Sequence, residues 1–369
     1  MINNVLQYSD YAAPYGGNFM RSILNLSNTL KEHEIATVYL FPNMAKDKEW
    51  IQDLSKTAKV YFYTGNILSD FRLLYKIVKE NKIGIIHSHY LQSKNHLLVN
   101  LLQMLRPSVK KITHFHTQYY ISRNWFKEKC RIWLFTSDAY IGCSMSVAKS
   151  IQQASLGMSN VYGIPNAVDF SRLDIINKID LTQLGISENA NTVLMFGYDY
   201  FIKGADIAVS AIKDIAEEYN IVLAILLSIR KEEAIRNIES QFGEIPKWIV
   251  LLDPREDIAS YYHMARIFIS PSRSEGLCYS LIEAAYCRRS TIASLIPGHT
   301  ESKIPHTIYF ERNSSHDLQK AILEELSWSN EKKALYSNEA KSYAITTFDL
   351  DIWCKKIMKV YEEYNFIHL

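Results

Sequence analysis

Short runs of consecutive apolar residues alternate along this chain with stretches in which apolar residues return every three or four positions. The short runs predict buried strands and the periodic stretches predict amphipathic helices. Strand-like runs stand at 4–9, 36–41, 59–64, 83–87 and 112–116, with helical patterns between them at 18–30, 71–82 and 97–105. The alternation restarts with strands at 192–197, 221–228, 248–253, 266–270 and 291–296, separated by helical patterns at 205–219, 258–265 and 277–287. Such alternation implies parallel sheets covered by helices on both faces. Gly163-Ile-Pro-Asn-Ala-Val-Asp169 and a polar stretch to about residue 191 interrupt the two series. The expected organisation is therefore α/β, with one domain over 1–170 and a second over 171–348. A closing helix rich in aromatic and basic residues follows over 349–369.

Composition narrows the class. At 369 residues the chain is too long for one ordinary core and suits two. Its 48% hydrophobic and 22% charged residues are those of a soluble globular protein. No apolar run approaches the roughly 18 residues needed to span a bilayer. Asn3, Asn4, Ser9 and Asp10 break any signal-peptide pattern, so a cytoplasmic location is expected. Five scattered cysteines fit a reducing compartment and lack metal-site spacing. Residues 1–180 hold 21 Lys and Arg against 13 Asp and Glu, whereas 181–369 hold 20 against 26. The basic half suits an anionic partner, such as a membrane surface met peripherally or a pyrophosphate-bearing acceptor. Basic residues that merely solvate outer helices explain it equally well. No nucleic acid is expected among the partners.

The candidate chemistry centres on Ser-Arg-Ser-Glu-Gly at 272–276, the turn from strand 266–270 into helix 277–287. Open α/β sheets bind ligands at such carboxyl-end turns. With Gly276 opening the helix, the amides of Gly276, Leu277, Cys278 and Tyr279 would lack helical partners and seat a phosphate. Glu275 and Glu283 flank that seat. A carboxylate beside a phosphate is electrostatically wrong unless it grips something else, such as sugar hydroxyls. Glu283 also lies in an otherwise apolar run, where an unpaired charge is costly and ribose hydroxyls would satisfy it. Lys203, at the start of helix 205–219, opposes the helix dipole, a conflict that a bound pyrophosphate would remove.

Other features are weaker. Gly16-Gly17 would let a ligand approach a helix N-terminus, although an ordinary turn needs the same residues. His87, His89, His114 and His116 close two strands, with the 114/116 pair the better candidate for touching substrate. Asp349-Leu-Asp351 reads as helix-start acids rather than a metal site, and no metal or other cofactor is expected. Segment 119–135 mixes aromatics with four cations. A surface helix with its aromatic face buried is the favoured reading, and a membrane-interface helix the alternative.

In their order along the chain these residues resemble glycosyltransferase family 4, the retaining group with the two-domain GT-B fold. The Gly16-Gly17 loop, Pro-Asn-Ala-Val-Asp at 165–169, Lys203-Gly204, Glu275-x7-Glu283 and Ile296-Pro-Gly-His299 carry the resemblance. It implies two Rossmann-like domains facing a cleft, with the closing helix returning to the first. It implies that Glu283 holds ribose, that Glu275 holds the transferred sugar, that the 276–279 amides meet the sugar or phosphate, and that His116 reaches the sugar. The implied reaction is metal-independent transfer, with retained configuration, from a nucleotide-sugar, UDP-linked by expectation, to a glycan or polyprenyl-pyrophosphate-linked acceptor in cell-surface polysaccharide synthesis. Tyr198 departs from the pattern, standing where the family has an arginine on the diphosphate; Arg230 or Arg273 are the available substitutes. Arg288-Arg-Ser290 replaces the family's Gly-x-Pro after the signature helix. A nucleotide-sugar epimerase of the same fold and a non-catalytic assembly partner are the rival readings. A dinucleotide oxidoreductase lacks support, because neither first-strand turn has G-x-G-x-x-G.

Overall fold

The computed structural model describes residues 4–154, 160–227, 230–255 and 257–364. The chain divides into two compact units, Met1–Ala167 with Leu350–Leu369, and Val168–Asp349.

The first unit holds a parallel sheet of seven strands: β1 (Asn4–Ser9), β2 (Thr37–Pro42), β3 (Lys59–Tyr63), β4 (Ile83–His89), β5 (Lys110–Phe115), β6 (Ala139–Gly142) and β7 (Val161–Gly163). Their spatial order is β3-β2-β1-β4-β5-β6-β7. The second unit holds six: β8 (Asn191–Phe196), β9 (Ile221–Leu226), β10 (Ile249–Leu252), β11 (Ile267–Ser270), β12 (Ser290–Ser294) and β13 (Ile308–Phe310). Their order is β10-β9-β8-β11-β12-β13, again all parallel. In each sheet the chain moves outward in one direction and then crosses back, so the order reverses between β1 and β4 and between β8 and β11. Crevices at such reversals are where doubly wound sheets place their ligands.

Central strands such as β2, β4 and β9 are buried at every position, as a sheet covered on both faces requires. The short strands β6, β7 and β13 lie outside the runs that the hydrophobic pattern marks. The closing helix, Leu350–Glu362, packs Trp353, Cys354, Ile357 and Met358 into the first unit's core beside Val5, Leu26 and Ile85.

The four histidines meet at the carboxyl ends of β4 and β5. His87 Nδ1 lies 2.7 Å from Tyr361 Oη of the closing helix. His89 bridges Gln7 Oε1 at 2.9 Å and His116 Nε2 at 3.1 Å. His114 stacks on His116 with 4.4 Å between ring centres, and Tyr90 covers the other face of His116 at 4.2 Å. Burial disfavours the charged form, so His87 and His116 are pushed down to about 3 and His89 and His114 also lie well below the ordinary value. The cluster is therefore neutral at physiological pH.

Unfolded imidazoles titrate near 6.5, so below that pH the unfolded chain binds more protons than the folded one. The stability from these groups is complete above pH 6.5 and is lost as pH falls toward about 3. The three fully buried rings, His87, His89 and His114, should together remove about 4 kcal/mol per pH unit on the steep part of that slope. Urea unfolding at pH 7, 6 and 5 should show the midpoint dropping steeply; a flat midpoint would contradict the neutral cluster.

Candidate glycosyl-transfer site

Two loops at the order reversal of the second sheet build the site. The first leaves β8 through Gly197 and Tyr198 and ends at Lys203-Gly204, which starts the helix Ala205–Ile212. Gly204 takes φ +73°, and a Cβ there would stand 2.1 Å from the Pro271 carbonyl oxygen. Only glycine lets this loop lie directly on the second one. That second loop leaves β11 at Pro271 and ends in the helix Tyr279–Tyr286.

Lys203 and Glu275 join the loops. Lys203 Nζ lies 2.5 Å from Glu275 Oε1, which also accepts from Ser272 Oγ at 2.8 Å. Burial alone would depress the Lys203 ammonium, but the Glu275 charge beside it holds it above its ordinary value. The same ammonium sits 4.4 Å above the centre of the Tyr198 ring, a cation–π contact. Arg273 fastens the loops a second time with a bidentate pair to Asp206 at 2.8 and 2.7 Å.

Glu283, on the buried face of the Tyr279–Tyr286 helix, accepts hydrogen bonds from Arg172 and from Tyr262 Oη, the latter at 2.7 Å. Burial, and then the adjacent Glu283 charge, raise the Tyr262 phenol well above its ordinary value, so it stays a donor. Beneath Glu275 the turn Pro297–Thr300 completes the floor. A Cβ on Gly298 would meet the Glu275 carbonyl oxygen at 2.5 Å, so glycine is again needed for the approach. Fully buried His299 donates from Nδ1 to the Ser294 carbonyl oxygen at 2.8 Å and sets Nε2 2.9 Å from Ser270 Oγ; burial opposes its charged form, but Cys278 and Glu275 beside it hold the imidazole above its ordinary value.

The structure thus brings Tyr198, Lys203, Glu275, Gly276, Leu277 and Cys278 onto adjoining loops, with Glu283 on the helix that follows, and corrects several expectations. Gly276 does not open the helix. Cys278 is its N-cap, in extended conformation, and donates its own amide to Gly298 O at 3.2 Å, so the helix starts at Tyr279. The amide seat is accordingly smaller; Gly276 and Leu277 make no amide hydrogen bond among the described residues. The polar conflicts around Lys203 and Glu283 need no ligand, since Glu275, Arg172 and Tyr262 resolve them within the protein. Arg273 spends both prongs of its guanidinium on Asp206 and is not a free replacement for the missing arginine. Arg230, more exposed, stands 3.4 Å from Asp199, next to Tyr198. Sequence reasoning missed Arg172, Tyr262 and the floor role of His299. A buried carboxylate demands donors, and that demand was the signal that pointed toward the first two.

The first unit carries the remaining candidates. Gly16 precedes the helix Gly17–Glu32, and His116 follows β5 directly in the imidazole cluster. Among the described residues two groups have ligand atoms within 4.8 Å of one another: His87, His89 and His114, and Glu275, Cys278 and His299. In the second group the Lys203 ammonium already occupies Glu275, so a cation would have to compete with it.

The family model for Glycosyl transferases group 1 matches residues 177–342, and that for Glycosyltransferase Family 4 matches residues 21–172. The UDP-Gal:alpha-D-GlcNAc-diphosphoundecaprenol alpha-1,3-galactosyltransferase of Escherichia coli is 25% identical over 239 residues, which span 61% of this chain and 61% of that relative. Among solved structures, a glycosyltransferase from Rickettsia africae matches with a TM-score of 0.80 at 18% identity, over 98% of each chain. Anabaena HepE, solved with UDP and glucose, matches with a TM-score of 0.79 at 13% identity, over 98% of this chain and 100% of that one. The two family models lie end to end over the two units, and the fold carries through both: the chain belongs to the group 1 glycosyltransferases of family 4 and has the GT-B fold.

Proposed function

We propose that the protein moves a sugar from a UDP-sugar to a hydroxyl of a lipid-linked glycan in cell-surface polysaccharide assembly, with retained configuration and no metal ion. The observation that carries this reading is the Lys203–Glu275 pair at the β8/β11 reversal, with Glu283 on the next helix. A diphosphate arriving at the loops offers Lys203 more negative charge than Glu275 does. It draws the ammonium away and frees Glu275 to accept from sugar hydroxyls. Glu283, already held by Arg172 and Tyr262, takes the ribose hydroxyls. The C1–O bond to the diphosphate then breaks while the acceptor oxygen bonds to C1 on the same face. The acceptor's proton passes to the departing phosphate oxygen, so no enzymic nucleophile is required. Lys203, the neighbouring amides and the Tyr198 ring stabilise the leaving charge and its cation. Support for the donor and acceptor classes comes from the names of the relatives: the Escherichia coli protein uses UDP-Gal and a diphosphoundecaprenol-linked GlcNAc, and HepE was solved with UDP.

Glu283→Gln should lower kcat/KM by about 100-fold with an unchanged circular dichroism spectrum. Lys203→Ala should do the same but also cost a few kcal/mol of stability, because it strands Glu275. Lys203→Ala/Glu275→Gln should recover the stability and not the activity. Wild-type turnover in Glu283→Gln and Lys203→Ala would sink the assignment.

Tyr198→Ala should raise the donor KM by about threefold to thirtyfold through the lost cation–π contact, whereas Tyr198→Phe should stay near wild type. Mass-spectrometric detection of released nucleotide over UDP- and GDP-sugars tests the donor. Conversion of a UDP-sugar without any acceptor would favour the epimerase reading.

A further inference from the structure

We propose that the outward face of the helix Trp125–Phe135, with the adjoining strip of the helix Ser93–Leu105, docks onto an anionic phospholipid bilayer. The hydrophobic pattern favoured a surface helix with its aromatic side turned inward. The structure reverses this. Trp125, Phe126 and Trp133 are 72%, 71% and 55% exposed, and the residue this helix buries is its one acid, Glu128. Glu128 is held inside by Tyr119 Oη at 2.8 Å, the Ser122 amide at 2.7 Å and Arg131 at 3.3 Å. Phe135 supplies the inward packing against His96 and Phe115.

Trp125, Phe126, Lys129, Cys130 and Trp133 fall at positions i, i+1, i+4, i+5 and i+8, which share one helical face. Lys127 and the preceding Ile121 and Arg123 are exposed as well. The apolar strip continues on the neighbouring helix. Asn100 Nδ2 donates to the Trp133 and Leu134 carbonyls at 3.1 and 3.2 Å, and the exposed Leu101, Met104 and Leu105 follow on that helix. Indole and phenyl rings alternating with lysines, and no outward acid on this helix, suit the boundary between acyl chains and anionic headgroups. Lysine stems lie along apolar surface while their ammonium groups reach phosphate; Lys129 Nζ is 5.9 Å from the Trp125 ring centre. The unit that presents this face carries 22 Lys and Arg against 13 Asp and Glu, so its wider field has the same sign. Charge also argues against a second copy as the occupant: a two-fold contact would set Arg123, Lys127 and Lys129 against their own equivalents.

The test is co-sedimentation of the full chain with vesicles of phosphatidylcholine alone and with about 30 mol% phosphatidylglycerol. Binding is read without donor or acceptor, so its failure is distinguishable from failure of the transferase reading. The chain should bind the anionic vesicles and leave the neutral ones, with binding weakened by salt. Trp125→Ala/Phe126→Ala and Lys127→Glu/Lys129→Glu should each weaken it about tenfold or more, at an unchanged thermal midpoint, since all four side chains are exposed. Cys130 is the exposed cysteine and the other four are buried, so an environment-sensitive thiol dye reports from this face and should shift to the blue on anionic vesicles. Equal binding by both double variants, or no vesicle binding at low salt, would overturn the proposal. So would a dimer of the wild-type chain that Trp125→Ala/Phe126→Ala dissociates.

Discussion

The site of the second unit hangs on one ion pair. Lys203 and Glu275 come from loops 72 residues apart in the chain, yet their side chains meet at 2.5 Å with both largely out of solvent. Each charge alone would be costly there, and together they lock the loop after β8 to the turn after β11. The surrounding choices follow from that contact. Gly204 and Gly298 let three backbone segments pack face to face, Arg273 and Asp206 repeat the tie on the outer side, and Tyr198 floors the ammonium. The pair therefore fixes the spacing of the two loops while keeping both buried charges satisfied.

Much of this was legible in the chain. Strand runs at 4–9, 221–228 and 266–270 stand out because a doubly covered parallel sheet needs nearly continuous apolar residues. Lys203, Glu275 and Glu283 stand out because each charge sits where its local surroundings disfavour it. What the sequence could not supply was the answer to that disfavour. It suggested an absent ligand, whereas the fold brings Arg172 from 111 positions away and Tyr262 from the neighbouring helix. Long-range pairing of this sort leaves no local trace. The start of the Tyr279–Tyr286 helix was misread for a similar reason, because the Gly298 carbonyl that claims the Cys278 amide is remote in sequence.

Segment 119–135 shows the opposite limit. Helical periodicity locates an apolar face but not the side on which it lies, and aromatic residues are buried often enough to make inward the default. Here one buried acid, Glu128, with three partners waiting for it, sets the rotation of the helix and turns the indoles outward. A single polar residue has outweighed three aromatic ones in orienting the element.

The closing helix has a consequence for how the molecule is made. Val168–Asp349 is one continuous segment, whereas the first unit waits for residues beyond 349. On a ribosome delivering the chain from its amino end, the later-written unit can finish folding first. The earlier one meanwhile holds Val5, Leu26 and Ile85 uncovered, and His87 without its Tyr361 hydroxyl. Those groups are the ones a nascent-chain chaperone would find exposed, and they are covered together once the helix Leu350–Glu362 has emerged.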